Sequence, residues 1–255
     1  MKKIFKGTEP SLLSTYRSTY PNNKWVQFRN NNKRRIQTQV QLKNDQNGIC
    51  AYCEIDLREK DATGESDFRV EHFHPKDDSS TSHNWNLDWN NLLGCCHGGS
   101  QRNVTDAIIR FSSHDNSCDI PKKNKNLDGV ILNPLQLPAF PALFSCNRSS
   151  GLLIVNVANC QQAGVAETKA QQTICELKLD APRLNRFRAT VLNALYSQLQ
   201  LKLSTGSTLE QACSQLAQAH LCKNSQQHWP AFFTSIRSYL GKEAEQHLQS
   251  IGYNG

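Results

Sequence analysis

Val70-Glu71-His72-Phe73-His74-Pro75 is the stretch on which the fold turns. Residues 68–73 alternate apolar and polar, the period of a strand, and Pro75 stops it. Neighbouring side chains on a strand point to opposite faces, so Glu71 and His72 can approach one phosphate only where the strand bends or ends. The proline three residues after His72 supplies such a break. Cys50-x-x-Cys53 precedes this strand. Asp88-Trp89-Asn90-Asn91-Leu92-Leu93 and Cys95-Cys96-His97 follow it, and Cys118-Asp119 opens the lysine-rich Lys122-Lys123-Asn124-Lys125.

The chain has ten cysteines among 255 residues. Its start, Met1-Lys2-Lys3-Ile4-Phe5-Lys6, has no apolar core behind the lysines, so no export signal is expected. No run approaches the roughly 20 apolar residues of a membrane helix. The expected compartment is the reducing cytoplasm, where disulfides are rare and clustered cysteines point to metal. Cys50, Cys53, Cys96 and Cys118 would close a tetrahedral structural zinc site, with Cys95 the rival of Cys96. The competing reading is a set of buried free thiols. Cys146, Cys160, Cys175, Cys213 and Cys222 are scattered through the second half and suit small buried apolar positions.

The net charge of +7 is unevenly spread. Residues 1–47 hold ten Lys/Arg against two acids, residues 48–124 eight against thirteen, and residues 125–255 eleven against seven. A basic arm therefore stands beside an acidic centre. In the arm, Lys33-Arg34-Arg35 follows Trp25, Phe28 and Arg29, a mixture of cations and aromatics suited to a phosphate backbone with exposed bases. A solvated helix face explains it equally well. The acidic centre suits a polyanion binder only if its carboxylates meet a cation.

Residues 33–43 read as a helix with Ile36, Val40 and Lys43 on one face and Leu42 beside them, ending at the Asn47-Gly48 turn. Residues 61–67 and 76–90 read as polar loops, the latter with Trp85 and Trp89 packed over it. Residues 98–117 read as an insertion with a short amphipathic piece at Ile108 and Ile109. Leu152-Leu153-Ile154-Val155 reads as a strand. Helices are expected over about 167–179, 181–203, 208–221 and 228–249, from apolar residues at helical spacing such as Leu184, Phe187, Val191 and Leu195. His83 and His114 fall in polar loops, and His220, His228 and His247 in the helical half.

Glu-His-Phe-x-Pro, then Asn-Leu-Leu, framed by Cys-x-x-Cys and later cysteines, resembles the HNH endonuclease superfamily. The stretches EHFHPK, DWNNLLGCCHGG and CDIPKKNKNLDGVILNP resemble the PtuB-type branch found in bacterial anti-phage systems of the Septu and retron kinds. The resemblance covers about residues 48–135 and implies an α+β chain. It comprises a basic N-terminal arm (1–47), a ββα-metal nuclease module with a structural zinc knuckle (48–135), and a mainly helical partner-binding region (136–255).

By that resemblance His72 is the general base and Asn91 orients the base or its loop. Glu71 is a metal ligand, and Asp119 or His97 is the second. A pair of carboxylates suits Mg²⁺ or Mn²⁺, whereas Glu71 with His97 leans toward a transition metal. Lys33, Arg34, Arg35, Lys122 and Lys123 are the candidate nucleic-acid contacts. The implied partners are a PtuA-type ATPase, or a retron reverse transcriptase with its DNA. The implied activity is phosphodiester hydrolysis in DNA or RNA, tRNA included. The alternative is a non-catalytic zinc module that binds nucleic acid or bridges proteins, which leaves Glu71, His72 and Asn91 without a shared role.

Overall fold

The computed structural model describes residues 1–57, 68–100 and 115–255. The expected loop at 61–67, the amphipathic piece at Ile108 and Ile109, and His114 lie outside the described residues. Three helices come first: α1 (Ser11–Thr19), α2 (Trp25–Arg29) and α3 (Asn32–Asp45). Strands β1 (Phe68–His72) and β2 (Leu92–Cys96) follow, then a short α4 (Asp119–Lys122). A second strand pair, β3 (Phe144–Cys146) and β4 (Leu153–Val155), introduces helices α5 (Val157–Gln162), α6 (Glu167–Glu176), α7 (Pro182–Ser204), α8 (Leu209–His220), α9 (Phe233–Leu240) and α10 (Lys242–Ser250). The α+β class is borne out. No helix among the described residues is long and apolar enough to cross a membrane.

β1 and β2 pair antiparallel, with Glu71 opposite Leu93 and His72 opposite Leu92. A turn of 3-10 helix at Trp89–Asn91, capped by the Asp88 carboxylate accepting from Asn90 N–H, feeds the chain into β2. Every residue of β2 is buried. Such a strand shows an unbroken apolar run instead of an alternation.

The helices of the first 47 residues pack against later parts of the chain. Leu13, Tyr16, Trp25, Phe28 and Leu42 of α1–α3 pack with Leu87, Trp89 and Leu92 in one apolar cluster. A second cluster joins Met1 and Ile4 to the cysteine knuckle, Phe68, Leu93, Phe144, Ile174 and Leu184, so residues from all three expected segments share it. The third holds α7 to α10 together through Leu195, Leu216, Phe233, Ile236 and Leu248.

Three local expectations are corrected. Of the five scattered cysteines only Cys160 is buried, while Cys175 and Cys222 are exposed. On α3 the buried positions are Thr38, Leu42 and Lys43, while Ile36 and Val40 are exposed. Of the expected face only Lys43 is buried, with Leu42 beside it, and Thr38 joins them because its hydroxyl satisfies itself on Arg34 O and can turn inward. The helix expected over 228–249 is two helices, broken at Gly241 with φ +59, a conformation glycine adopts without penalty.

Candidate active site

The knuckle forms first. Cys50 N–H donates to Ile55 O and Glu54 N–H to Cys50 O, closing a tight turn in which Glu54 takes φ +64. Ala51 N–H donates to Gly94 O, tying the turn to β2. Cys50, Cys53, Cys96 and Cys118 are all buried, and their Sγ atoms lie within 4.8 Å of one another. Individual separations are 3.6 Å for Cys53–Cys96, 3.7 Å for Cys96–Cys118 and 4.0 Å for Cys50–Cys118. Four sulfurs about 2.3 Å from one zinc stand about 3.8 Å apart, so the set fits a structural zinc.

Backbone N–H groups also point at the sulfurs, Cys96 N–H at Cys50 Sγ and Gly98 N–H at Cys96 Sγ. Such donors stabilise thiolate over thiol. The strand alternation decides between the two neighbouring cysteines. Cys96 joins the cluster, while the Cys95 thiol lies at its edge, 3.9 Å from Cys50 Sγ and 3.8 Å from Asp119 Oδ1.

β1 and α4 carry the acidic groups. Arg69 and Glu71 project from one face of β1, and Asp119 and Lys122 stand at the two ends of the single turn of α4. They pair crosswise: Arg69 with Asp119 at 3.2 Å, and Lys122 with Glu71 at 2.8 Å. Lys122 Nζ also donates to His72 O at 2.9 Å. Arg69 Nε donates to His97 Nδ1 at 3.1 Å, and the same guanidinium reaches His97 O and Ser100 Oγ.

Glu71, His72, His97 and Asp119 line one open cavity of about 450 Å³, together with Trp25, Arg29, Arg35, Arg69, Lys76 and Lys123. Burial pushes the Asp119 carboxyl up to about 7, with Glu71 adding to the rise and Arg69 opposing it. Burial likewise raises Glu71, against the pull of Lys122. Beside them the Tyr52 hydroxyl is fully buried without a hydrogen-bond partner among the described residues, and Glu71 and Asp119 raise its pKa after burial itself. Glu71 and Asp119 offer the carboxylate oxygens a divalent cation takes, each beside a protein cation, Lys122 and Arg69.

His72 lies on the opposite face of β1 from Glu71, yet at the strand end both reach the cavity. Its ring packs edge-on against Trp25, with centroids 5.4 Å apart. Nε2 faces the Asn86 carbonyl at 3.1 Å and must donate to it, which leaves Nδ1 as the acceptor. Burial drives the His72 pKa down to about 3, so the ring is neutral near pH 7. Asn86 is itself held, accepting from Trp25 N–H and donating to Lys76 O.

Asn91 stands behind this cavity. Its Oδ1 accepts from His74 N–H at 2.7 Å, and its Nδ2 donates to His74 O and Trp85 O. It holds the loop after β1 against the turn before β2. His74 has its own surroundings, stacked on Trp85 with its ring nitrogens facing Asp78 and Asp128 at 2.8 and 2.7 Å.

Of the five candidate nucleic-acid contacts, Arg35 and Lys123 line the cavity. Lys33 is exposed away from it, and Arg34 lies over the Tyr16 ring. Lys122 is 1% exposed, so it is an internal ion-pair partner and not a surface contact. Arg69, Tyr52 and Lys76 carried no assignment from sequence. The alternation of β1 held the signal for Arg69, two residues from Glu71 and therefore on its face.

No family model matches the chain. It is 36% identical over 212 residues to the "Retron Ec83 putative HNH endonuclease" of Escherichia coli, a match spanning 75% of this chain and 79% of that protein. With the cysteine knuckle, the Glu-His pair and the cavity they share in view, the chain belongs to the HNH endonuclease family, on the side of it associated with retrons.

Proposed function

We propose that this chain is a metal-dependent HNH nuclease that hydrolyses phosphodiester bonds as the toxic effector of an anti-phage system. The observation that carries the reading is the setting of His72. Its Nε2–H is committed to Asn86 O, and its neutral ring shares a cavity with Glu71 and Asp119. A neutral imidazole with one nitrogen fixed as donor presents the other as a proton acceptor, whose basicity burial lowers.

In this reading β1, β2 and α4 form the ββα-metal module, clamped by a structural zinc on Cys50, Cys53, Cys96 and Cys118. Glu71 and Asp119 would hold a Mg²⁺ or Mn²⁺ ion. When bound, that ion supplies positive charge to the nonbridging and leaving oxygens. His72 Nδ1 takes a proton from the attacking water, the water oxygen forms a bond to phosphorus, and the opposite P–O bond breaks. Asn91 is a positioning residue that keeps the strand end at its angle. Arg29, Arg35, Lys76 and Lys123 ring the cavity and hold the flanking phosphates.

A free nuclease of this kind would damage its own cytoplasm. A PtuA-type ATPase, or a retron reverse transcriptase with its DNA, is the restraint and trigger in this reading, docked on the helical second half. An activated water has no need of a 2′-hydroxyl, so DNA and RNA both remain substrates. The test is His72→Ala in the full operon. Loss of both phage protection and nucleic-acid cleavage is expected, and sequencing the cut ends from wild-type cells against the variant identifies the polymer. Survival of both activities would sink the catalytic reading in favour of a binding module.

A further inference from the structure

The crosswise pairing of β1 with α4 leaves the cavity floor close to electrically neutral. Glu71 and Asp119 are each matched by a protein cation, Lys122 and Arg69. The two cations differ in what else they can reach. The Lys122 side chain is 1% exposed and also donates to His72 O, so it stays with Glu71 whatever enters. The Arg69 side chain is 34% exposed and lines the same cavity as Arg29, Arg35, Lys76 and Lys123. Its anchors on His97 and Ser100 hold the Nε and NH2 edge, while NH1 alone engages Asp119.

We propose that Arg69 is a phosphate-binding residue that guards the cation site, so that a divalent cation and nucleic acid load together. With Arg69 on Asp119, an entering cation meets a neutral floor and must compete for the Asp119 carboxylate. When a phosphodiester enters, its charge draws NH1, the one nitrogen of the guanidinium not held by His97 and Ser100, onto a phosphate oxygen. Asp119 is then released to the cation, and the phosphate contributes further negative charge to it. Each ligand therefore raises the affinity for the other by the same factor. Bare cation binds weakly, and the site completes only on substrate.

The inference rests on the proposed metal site at Glu71 and Asp119. Its test follows Mn²⁺ binding to the full zinc-loaded chain by electron paramagnetic resonance of the free ion, with no nucleic acid present. Arg69→Met should bind Mn²⁺ about tenfold or more tighter than wild type, the direction opposite to that of a merely structural residue. Arg69→Lys, which keeps the charge, should stay within about threefold of wild type and provides a second folded variant. In cleavage assays at saturating Mn²⁺, Arg69→Met should lose activity despite its tighter metal.

Unchanged or weaker Mn²⁺ binding by Arg69→Met would overturn the proposal. So would an Arg69→Lys chain that binds tighter than wild type by the amount expected of Met. Glu71→Gln separates the two readings. If it leaves Mn²⁺ binding untouched in both backgrounds, the metal site itself is misplaced. If it abolishes binding while Arg69→Met has no effect, the site stands and the guard role fails.

Discussion

Lys122 Nζ lies 2.8 Å from Glu71 Oε1, with the two side chains 1% and 13% exposed. This contact ties the short helix after the last cluster cysteine to the strand that carries His72. Removing one partner of a buried pair strands the other charge, at a cost of about 3–5 kcal/mol. Lys122→Met should therefore lower the urea-unfolding free energy by at least about 3 kcal/mol. The double variant Lys122→Met/Glu71→Gln should recover a large part of the loss, because no lone charge then remains. A double variant no more stable than Lys122→Met would show that the charge pairing is not what Lys122 contributes.

The neighbouring cysteines make a sharp pair. Cys96→Ser should drop zinc content well below one per chain and melt the module, since a knuckle with little core of its own depends on its metal. Cys95→Ser should retain full zinc content by atomic emission, because Cys95 Sγ touches only the edge of the cluster, at Cys50 Sγ and Asp119 Oδ1, and is not among the four sulfurs that close it. Equal zinc loss in both would contradict the assignment.

Gly98 takes φ +58, and a Cβ there would stand 2.2 Å from Ser117 O. Gly98→Ala must push away the backbone beside Cys118 and adopt a left-handed conformation, together costing more than about 1 kcal/mol. The expected readouts are a lower melting temperature and faster zinc release to a chelator. Gly129 also has positive φ, at +74, but nothing lies within 4 Å of its would-be Cβ, so Gly129→Ala should release zinc at the wild-type rate.

Asn91 makes three hydrogen bonds that join the loop after β1 to the turn before β2. Asn91→Ala leaves two carbonyls and one N–H without that partner, at about 1–3 kcal/mol for each that stays dry. Cleavage should fall chiefly in kcat, with KM nearly unchanged, because Asn91 does not line the cavity where nucleic acid would sit. A dominant rise in KM would place Asn91 in substrate binding instead.

The basic residues divide by position. Arg35→Ala should weaken nucleic-acid binding and lower the slope of log K against log salt by about one phosphate contact. Lys33→Ala, exposed away from the cavity, should change that slope little. Anisotropy titrations across a salt series on His72→Ala protein measure both.

Motif spacing made the Glu71-His72 pair and the Cys50-x-x-Cys53 turn stand out in the sequence, because tight turns and strand ends are local structures built from few residues; Asn91 was reached through the family resemblance, and Cys96 and Cys118 join the knuckle from far along the chain. Local periodicity also sufficed for β1 and for the long helix α7, whose apolar stripe repeats over several turns. It failed where burial is set by a distant neighbour. Ile36 and Val40 form an apolar spacing on α3, yet the face that packs is that of Thr38 and Leu42, because Leu13, Phe28 and Leu87 arrive there from elsewhere in the chain. Lys122 looked like a surface cation because a lysine-rich run is usually solvated. Only the approach of β1 to α4 brings Glu71 to it and withdraws it from water. The same approach gives Arg69 its place on Asp119. Spacing along the chain names the groups able to do chemistry; which charge meets which depends on elements far apart in sequence, and that was decided only by the tertiary packing.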